Sequence, residues 1–173
     1  MSDASKYAAI GAMRDGRKVQ IRALKPHDQA AFLAAVDRSS PQSWYRRFFA
    51  PKLGLTEEEI AFFMNVDFVS HVALVALVEE AGRTVIVGGG RYFVFQPGRA
   101  EVAFAVVDEY QRQGIGELVM HHLVEIARRA GLQQLIAEVL RENMAMLRVF
   151  QKSGLQLSQN FEAGVVHVTV QLQ

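Results

Sequence analysis

The run Ala100 to Val107 is almost wholly apolar and passes straight into Asp108-Glu109-Tyr110-Gln111-Arg112-Gln113-Gly114-Ile115-Gly116 and then a long helical pattern. A strand of that composition suits the middle of a sheet, buried on both faces. After it, Ile115, Leu118, Val119, His122, Ile126 and Ala130 recur at three- and four-residue spacing, an apolar stripe that must lie against that sheet. Strand, tight loop and covering helix in direct succession commit the chain to an α/β architecture.

The punctuation of the remaining sequence fits strands interleaved with helices. Asp15-Gly16 turns into a strand over Lys18 to Leu24, and Pro26 precedes a helix over Asp28 to Val36. Ser39-Ser40-Pro41 opens a short aromatic helix with Trp44, Tyr45, Phe48 and Phe49. Thr56 and Glu59 form a capping box, and three glutamates in the first turn complement the helix dipole. His71 to Val78 and Thr84 to Phe95 read as an antiparallel hairpin turning at Ala81-Gly82. Beyond Gly131 come a strand from Gln134 to Leu140, a helix from about Asn143 to Ser153 capped by Gly154, and strands near Leu155 to Phe161 and Val165 to Leu172.

Composition narrows the function classes. The chain has 173 residues, enough for one domain with a real core. It has no cysteine, which removes disulfides, Cys-ligated zinc and any cysteine nucleophile. Nineteen basic against eighteen acidic side chains give a net charge of +1, without the basic field of a nucleic-acid protein. No apolar stretch is long enough to span a membrane and no signal-peptide pattern opens the chain, so a cytoplasmic protein is expected.

Two glycines one residue apart at a helix start, Gly114 and Gly116, expose several N–H groups at the positive end of the helix dipole. That arrangement suits a phosphate or pyrophosphate, with Arg112 adding charge; the glycines alone would equally serve a sharp turn. No Gly-Lys-Ser/Thr ending and no third dinucleotide glycine follow. The segment resembles Gln/Arg-x-x-Gly-x-Gly/Ala, the acyl-CoA pyrophosphate loop of the GNAT superfamily of N-acyltransferases, through Gln111, Gly114 and Gly116. Asn143, the helix ending at Phe150, and Lys152-Ser153-Gly154-Leu155 look like that family's second cofactor segment. Several blocks are similar to the acetyltransferase domain of bacterial protein lysine acetyltransferases that modify acyl-CoA synthetases. They are Arg14-Asp15-Gly16-Arg17, Ile21-Arg22-Ala23-Leu24, Ser39 to Phe49, Ala73 to Ala76 and Ala100-Glu101-Val102-Ala103.

The resemblance implies a GNAT acyl-CoA N-acyltransferase fold, with a central mixed, largely antiparallel sheet flanked by helices, as a single domain over residues 1–173. It implies acetyl-CoA as co-substrate, no metal, and an acceptor amine, an acyl-CoA synthetase lysine being one such acceptor. Monomer and homodimer stay open. It places Gln111, Arg112, Gln113, Gly114, Ile115 and Gly116 on the pyrophosphate and Asn143 on the pantetheine arm, although Asn143 is also a natural helix N-cap.

Acyl transfer to an amine requires a base, because a lysine amine with a pKa near 10.4 is almost all ammonium at neutral pH. Glu101 opens the apolar strand and shares a face with Ala103, Ala105 and Val107. Small neighbours leave room for a substrate, and partial burial would raise the carboxyl toward a useful range. Glutamate at this strand position acts as general base in GNAT lysine acetyltransferases, so the resemblance implies that role here. Backbone N–H groups near Val106 and Val107 are expected to stabilise the oxyanion, provided the sheet splays there. At Phe150 many family members carry tyrosine, thought to protonate the thiolate; phenylalanine cannot, and no catalytic acid is assigned. Without cysteine there is no cysteinyl intermediate, so the amine attacks directly.

Other features read as structural. His121 and His122 are adjacent on a helix, poor geometry for a shared metal, and His122 lies on the apolar stripe. His71 at a strand start is expected to be structural. Gly88-Gly89-Gly90 marks a bend, a bulge or a close approach of substrate. The aromatic cluster around Trp44 reads as core, and Arg46 and Arg47 suit an acidic partner or water.

Overall fold

The computed structural model describes residues 3–40 and 55–173. The aromatic helix expected around Trp44, with Arg46 and Arg47, lies outside the described residues. One eight-stranded sheet organises the rest. Its strands are β1 (Ala8–Ala12), β2 (Lys18–Ala23), β3 (His71–Glu80), β4 (Arg83–Gln96), β5 (Arg99–Val106), β6 (Gln134–Leu140), β7 (Leu157–Glu162) and β8 (Val165–Gln171). They stand in the order β1-β2-β3-β4-β5-β6-β8-β7, and every neighbouring pair is antiparallel except β5 with β6. This is the mixed, largely antiparallel sheet expected. Four helices accompany it among the described residues: α1 (Gln29–Asp37), α2 (Glu57–Met64), α3 (Ile115–Arg129) and α4 (Met144–Gln151).

Local chemistry sets the element ends. The Thr56 hydroxyl accepts from Glu59 N–H while the Glu59 carboxylate accepts from Thr56 N–H, closing the capping box of α2. Glu125 and Arg129 pair at 3.4 Å on the outer face of α3. The Ala81-Gly82 turn has positive φ at both residues, the conformation of a two-residue hairpin loop.

The helices cover the sheet unequally, which decides where the site can be. On one face α3 and α4 bury Val72, Leu74, Ala76, Val102, Phe104 and Ala137 in the main core. On the other, α1 and α2 pack over Leu24, Ala73, Val75, Leu77 and Ile86. The strand buried on both faces is therefore β3, from His71 to Val78, and not the Ala100 to Val107 run. On β5 only Ala100, Val102 and Phe104 are buried, while Glu101 and Ala105 are exposed on the opposite face. The reason is coverage: among the described residues, α1 and α2 pack over β2 to β4 and do not extend over the Glu101 face of β5.

β1 has no counterpart in the sequence reading. Its Ala- and Gly-rich run has weak strand propensity and is held by pairing with β2. Gly11 lets it pass close to α3, because a Cβ there would meet the Leu118 methyls at 3.2 Å.

Candidate active site

β5 and β6 pair only at Arg99 with Gln134, Ala100 with Leu135 and Glu101 with Ile136. Both strands continue, β5 to Val106 and β6 to Leu140, without further pairing. The sheet thus splays from Glu101 onward, and a cleft of about 600 Å³ follows the gap. It is lined by the far halves of both strands, by the loop from Tyr110 to Gly116 and by α4.

A bulge aims the β5 backbone. Ala76 pairs with Gly88 and Leu77 with Ile86, so Val87 is an extra residue on β4. Its carbonyl accepts the Val107 N–H at 2.8 Å. Successive N–H groups of a strand point to opposite edges, so the Val106 N–H is turned away from β4 toward the gap. The Gln111 side-chain amide reaches Val106 O at 3.0 Å, which fixes the same orientation. Of the two expected oxyanion donors, then, Val107 is engaged with Val87 and only Val106 faces the cleft. The glycine run serves close packing as well: a Cβ at Gly90 would lie 2.7–2.9 Å from Phe104, Val119 and Leu123.

The loop turns sharply at Arg112 and Gly114, with φ of 67° and 88°. The backbone N–H groups from Arg112 to Glu117 donate to no other described residue. They form a run of donors at the N-terminus of α3, suited to a phosphate-type anion. Arg14 braces this loop from outside. Its N–H donates to Gln113 O at 2.9 Å, its guanidinium donates to Arg112 O at 3.1 Å, and it pairs with Glu117 at 3.2 Å. Lys152 stands 3.6 Å from the same carboxylate. Gln111 lines the cleft, with its side-chain amide turned inward to Val106 O. Ile115 is buried in the core, leaving its backbone as its contribution to the loop.

Asn143 is the N-cap of α4, its Oδ1 accepting from Met146 N–H at 3.3 Å, and it also lines the cleft. Its Nδ2 donates to no described residue, so capping and ligand contact are compatible. Phe150 is buried against Phe104, ring centroids 5.9 Å apart, and brings no proton donor to the cleft. Glu101 lines the cleft as an exposed residue, not a partly buried one.

Beneath this wall, Arg91 Nη1 donates to Phe63 O and to His71 Nε2, each at 2.9 Å. A guanidinium can only donate, so the imidazole accepts and is neutral. Burial, with the Arg91 charge second, pushes His71 down to about 4. His71 is structural. His122 is half-buried and bonds Tyr7 at 2.5 Å, tying the N-terminal segment to α3.

Residues 38–155 match the family model described as Acetyltransferase (GNAT) family. The chain belongs to the GNAT family of acetyltransferases. Acetyltransferase PA5475 of Pseudomonas aeruginosa is 32% identical over 152 residues, covering 84% of this chain and 82% of that one. Acetyltransferase Pat of Mycolicibacterium smegmatis is 30% identical over 144 residues; the match covers 82% of this chain and 42% of Pat. The GNAT domain of S. lividans PAT superposes with a TM-score of 0.85 at 31% identity, over 95% of this chain and 96% of that domain. Membership makes this an acetyl-CoA-dependent transferase. The cleft fits that co-substrate: unengaged loop N–H groups and rim cations at one end, and an unpaired strand edge beside Val106 leading inward.

Proposed function

We propose that the protein acetylates a lysine side chain of another protein, with Glu101 as general base. One observation carries this reading: the splay opens at Glu101, which puts an exposed carboxylate in the same cleft as the anion-binding loop. Acetyl-CoA supplies a thioester carbonyl. The loop N–H groups hold its pyrophosphate, with Arg14, Arg112 and Lys152 adding positive charge at the rim, and the Asn143 amide takes the pantetheine arm. Glu101 accepts a proton from the acceptor ammonium. The freed amine attacks the carbonyl, the C–N bond forms, the C–S bond breaks, and CoA leaves as its thiolate, which the second proton shed by the nitrogen neutralises, so the products are the amide and the CoA thiol. The Val106 N–H faces the position where negative charge gathers on the carbonyl oxygen.

Two things favour a protein lysine over a small amine. Glu101, Ala105 and Glu138 are exposed along the cleft, as suits a side chain presented by a large molecule. The similarity to the Pat proteins extends along most of the chain. The test is thiol release from acetyl-CoA in the presence of lysine peptides, intact acyl-CoA synthetases or polyamines. Release with the synthetase and peptides supports the reading; release with polyamines alone favours a small-molecule acceptor. Calorimetric CoA binding without release from any acceptor overturns catalysis and leaves an acyl-CoA sensor.

A further inference from the structure

The cleft is electrically two-ended. At the loop and α4 end it is lined by Arg14, Arg112, Arg148 and Lys152, with Glu117 already paired to Arg14 and Lys152. On the open sheet face the exposed charged lining residues among those described are Glu101 and Glu138; Arg91, which also lines the cleft from this face, is buried and donates to Phe63 O and His71 Nε2. Glu138 lies on β6, two residues beyond Ile136, the last residue paired with β5. Because side chains alternate along a strand, Glu138 projects from the same face as Ile136 and its partner Glu101. The two carboxylates therefore stand on opposite lips of the splay. Glu138 is exposed and makes no hydrogen bond to another described residue; its ion-pair neighbour is His167 Nδ1 at 3.7 Å, directly across on β8. His167 also approaches Glu162 at 3.9 Å; of the guanidiniums on this face, Arg91 is buried against Phe63 and His71, and Arg99 is bonded to Gln134 and lies over Phe95.

We propose that Glu138 binds the acceptor's ammonium group and selects cationic amines, so that Glu101 removes a proton from a nitrogen already held across the splay. This rests on the acetyltransfer reading above. The acceptor of that reaction is a cation before it is a nucleophile; a second carboxylate opposite the base holds it while Glu101 takes its proton, and the cationic far end keeps the amine from the cofactor's place. A hydrogen bond between charged groups changes affinity by about ten- to a hundredfold.

The test compares wild type, Glu138→Gln and Glu101→Gln by thiol release from acetyl-CoA. The acceptors are a neutral-flanked lysine peptide, spermidine, and hydroxylamine as a nucleophile largely uncharged at pH 7.5. The expected result for Glu138→Gln is a KM raised about tenfold or more for the cationic acceptors. Its kcat, its acetyl-CoA KM and its rate with hydroxylamine stay within about twofold. Glu138→Asp keeps the charge and restores part of the affinity, which a purely structural role of the side chain would not produce. An unchanged KM for the cationic acceptors overturns the proposal, as does an equal loss with hydroxylamine. Wild-type acetylation of hydroxylamine but of no cationic amine also overturns it. Glu101→Gln separates the two readings: full turnover there sinks the base assignment while the KM effect at Glu138 stands. No transfer by wild type to any acceptor removes both.

Discussion

Acid should destabilise this protein through His71 in a defined window. The native imidazole accepts from Arg91 and stays neutral down to about 4, because it is buried and faces a guanidinium. In the unfolded chain it protonates near the ordinary value of about 6.5. The unfolded state therefore binds the extra proton, so this stability is fully present above about pH 6.5 and is lost as pH falls toward 4. The full gap corresponds to roughly 3 kcal/mol, and the part between pH 7 and 4.5 to about 2 kcal/mol. His122 is also held below its ordinary value, by burial first, and adds to the same window. His71→Gln subtracts it: the amide oxygen still accepts from Arg91 but does not titrate. Urea unfolding followed by far-UV circular dichroism at pH 7, 6, 5 and 4.5 gives the curves. Wild type should lose about 2 kcal/mol more than His71→Gln across that range. Parallel curves would refute the argument. Asp67 does not confuse the result. Its carboxylate accepts from the N–H groups of His71, Val69 and Ser70 and from the Ser70 hydroxyl, which hold it low, so its stabilisation is lost only below about pH 4.

Two further substitutions test the packing and the loop end. Gly90→Ala forces a methyl against Phe104, Val119 and Leu123. It should cost about 1–3 kcal/mol and lower Tm by several degrees in a thermal melt; an unchanged Tm would contradict the close approach. Asn143→Ala should lose about 1 kcal/mol of capping and also weaken acetyl-CoA binding. Asn143→Asp retains the cap acceptor but removes the Nδ2 donor, so it should keep the Tm and still bind acetyl-CoA more weakly by calorimetry.

Features set by a few neighbouring residues were legible in the sequence. The Thr56 capping box, the Ala81-Gly82 turn and the Asn143 cap act over two to four positions, and each stands where its residues imply. The GNAT fold was legible through the loop and block resemblances, and the sheet has the mixed character they imply. What depends on distant coverage was not. An apolar strand reads as buried on both faces whether or not a helix lies over it, so β3 and β5 could not be told apart. The bulge at Val87 arises from the pairing of β3 with β4, and it is this bulge that engages Val107 and leaves Val106. The bond from the Gln111 side-chain amide to the Val106 carbonyl becomes visible only once the splay is built. Glu138 drew no notice in the sequence, since a glutamate in a mid-chain strand carries no signal until β5 and β6 part beside it.

The central claim, that Glu101 takes the proton from the acceptor amine, has one direct measurement. Glu101→Gln keeps the shape of an exposed side chain and removes its basicity. Thiol release with a competent acceptor should fall by about 10²- to 10⁴-fold, the usual contribution of a positioned base. Acetyl-CoA affinity by calorimetry should stay within about twofold, because the loop and α4 end of the cleft are untouched. Turnover at the wild-type rate would contradict the account.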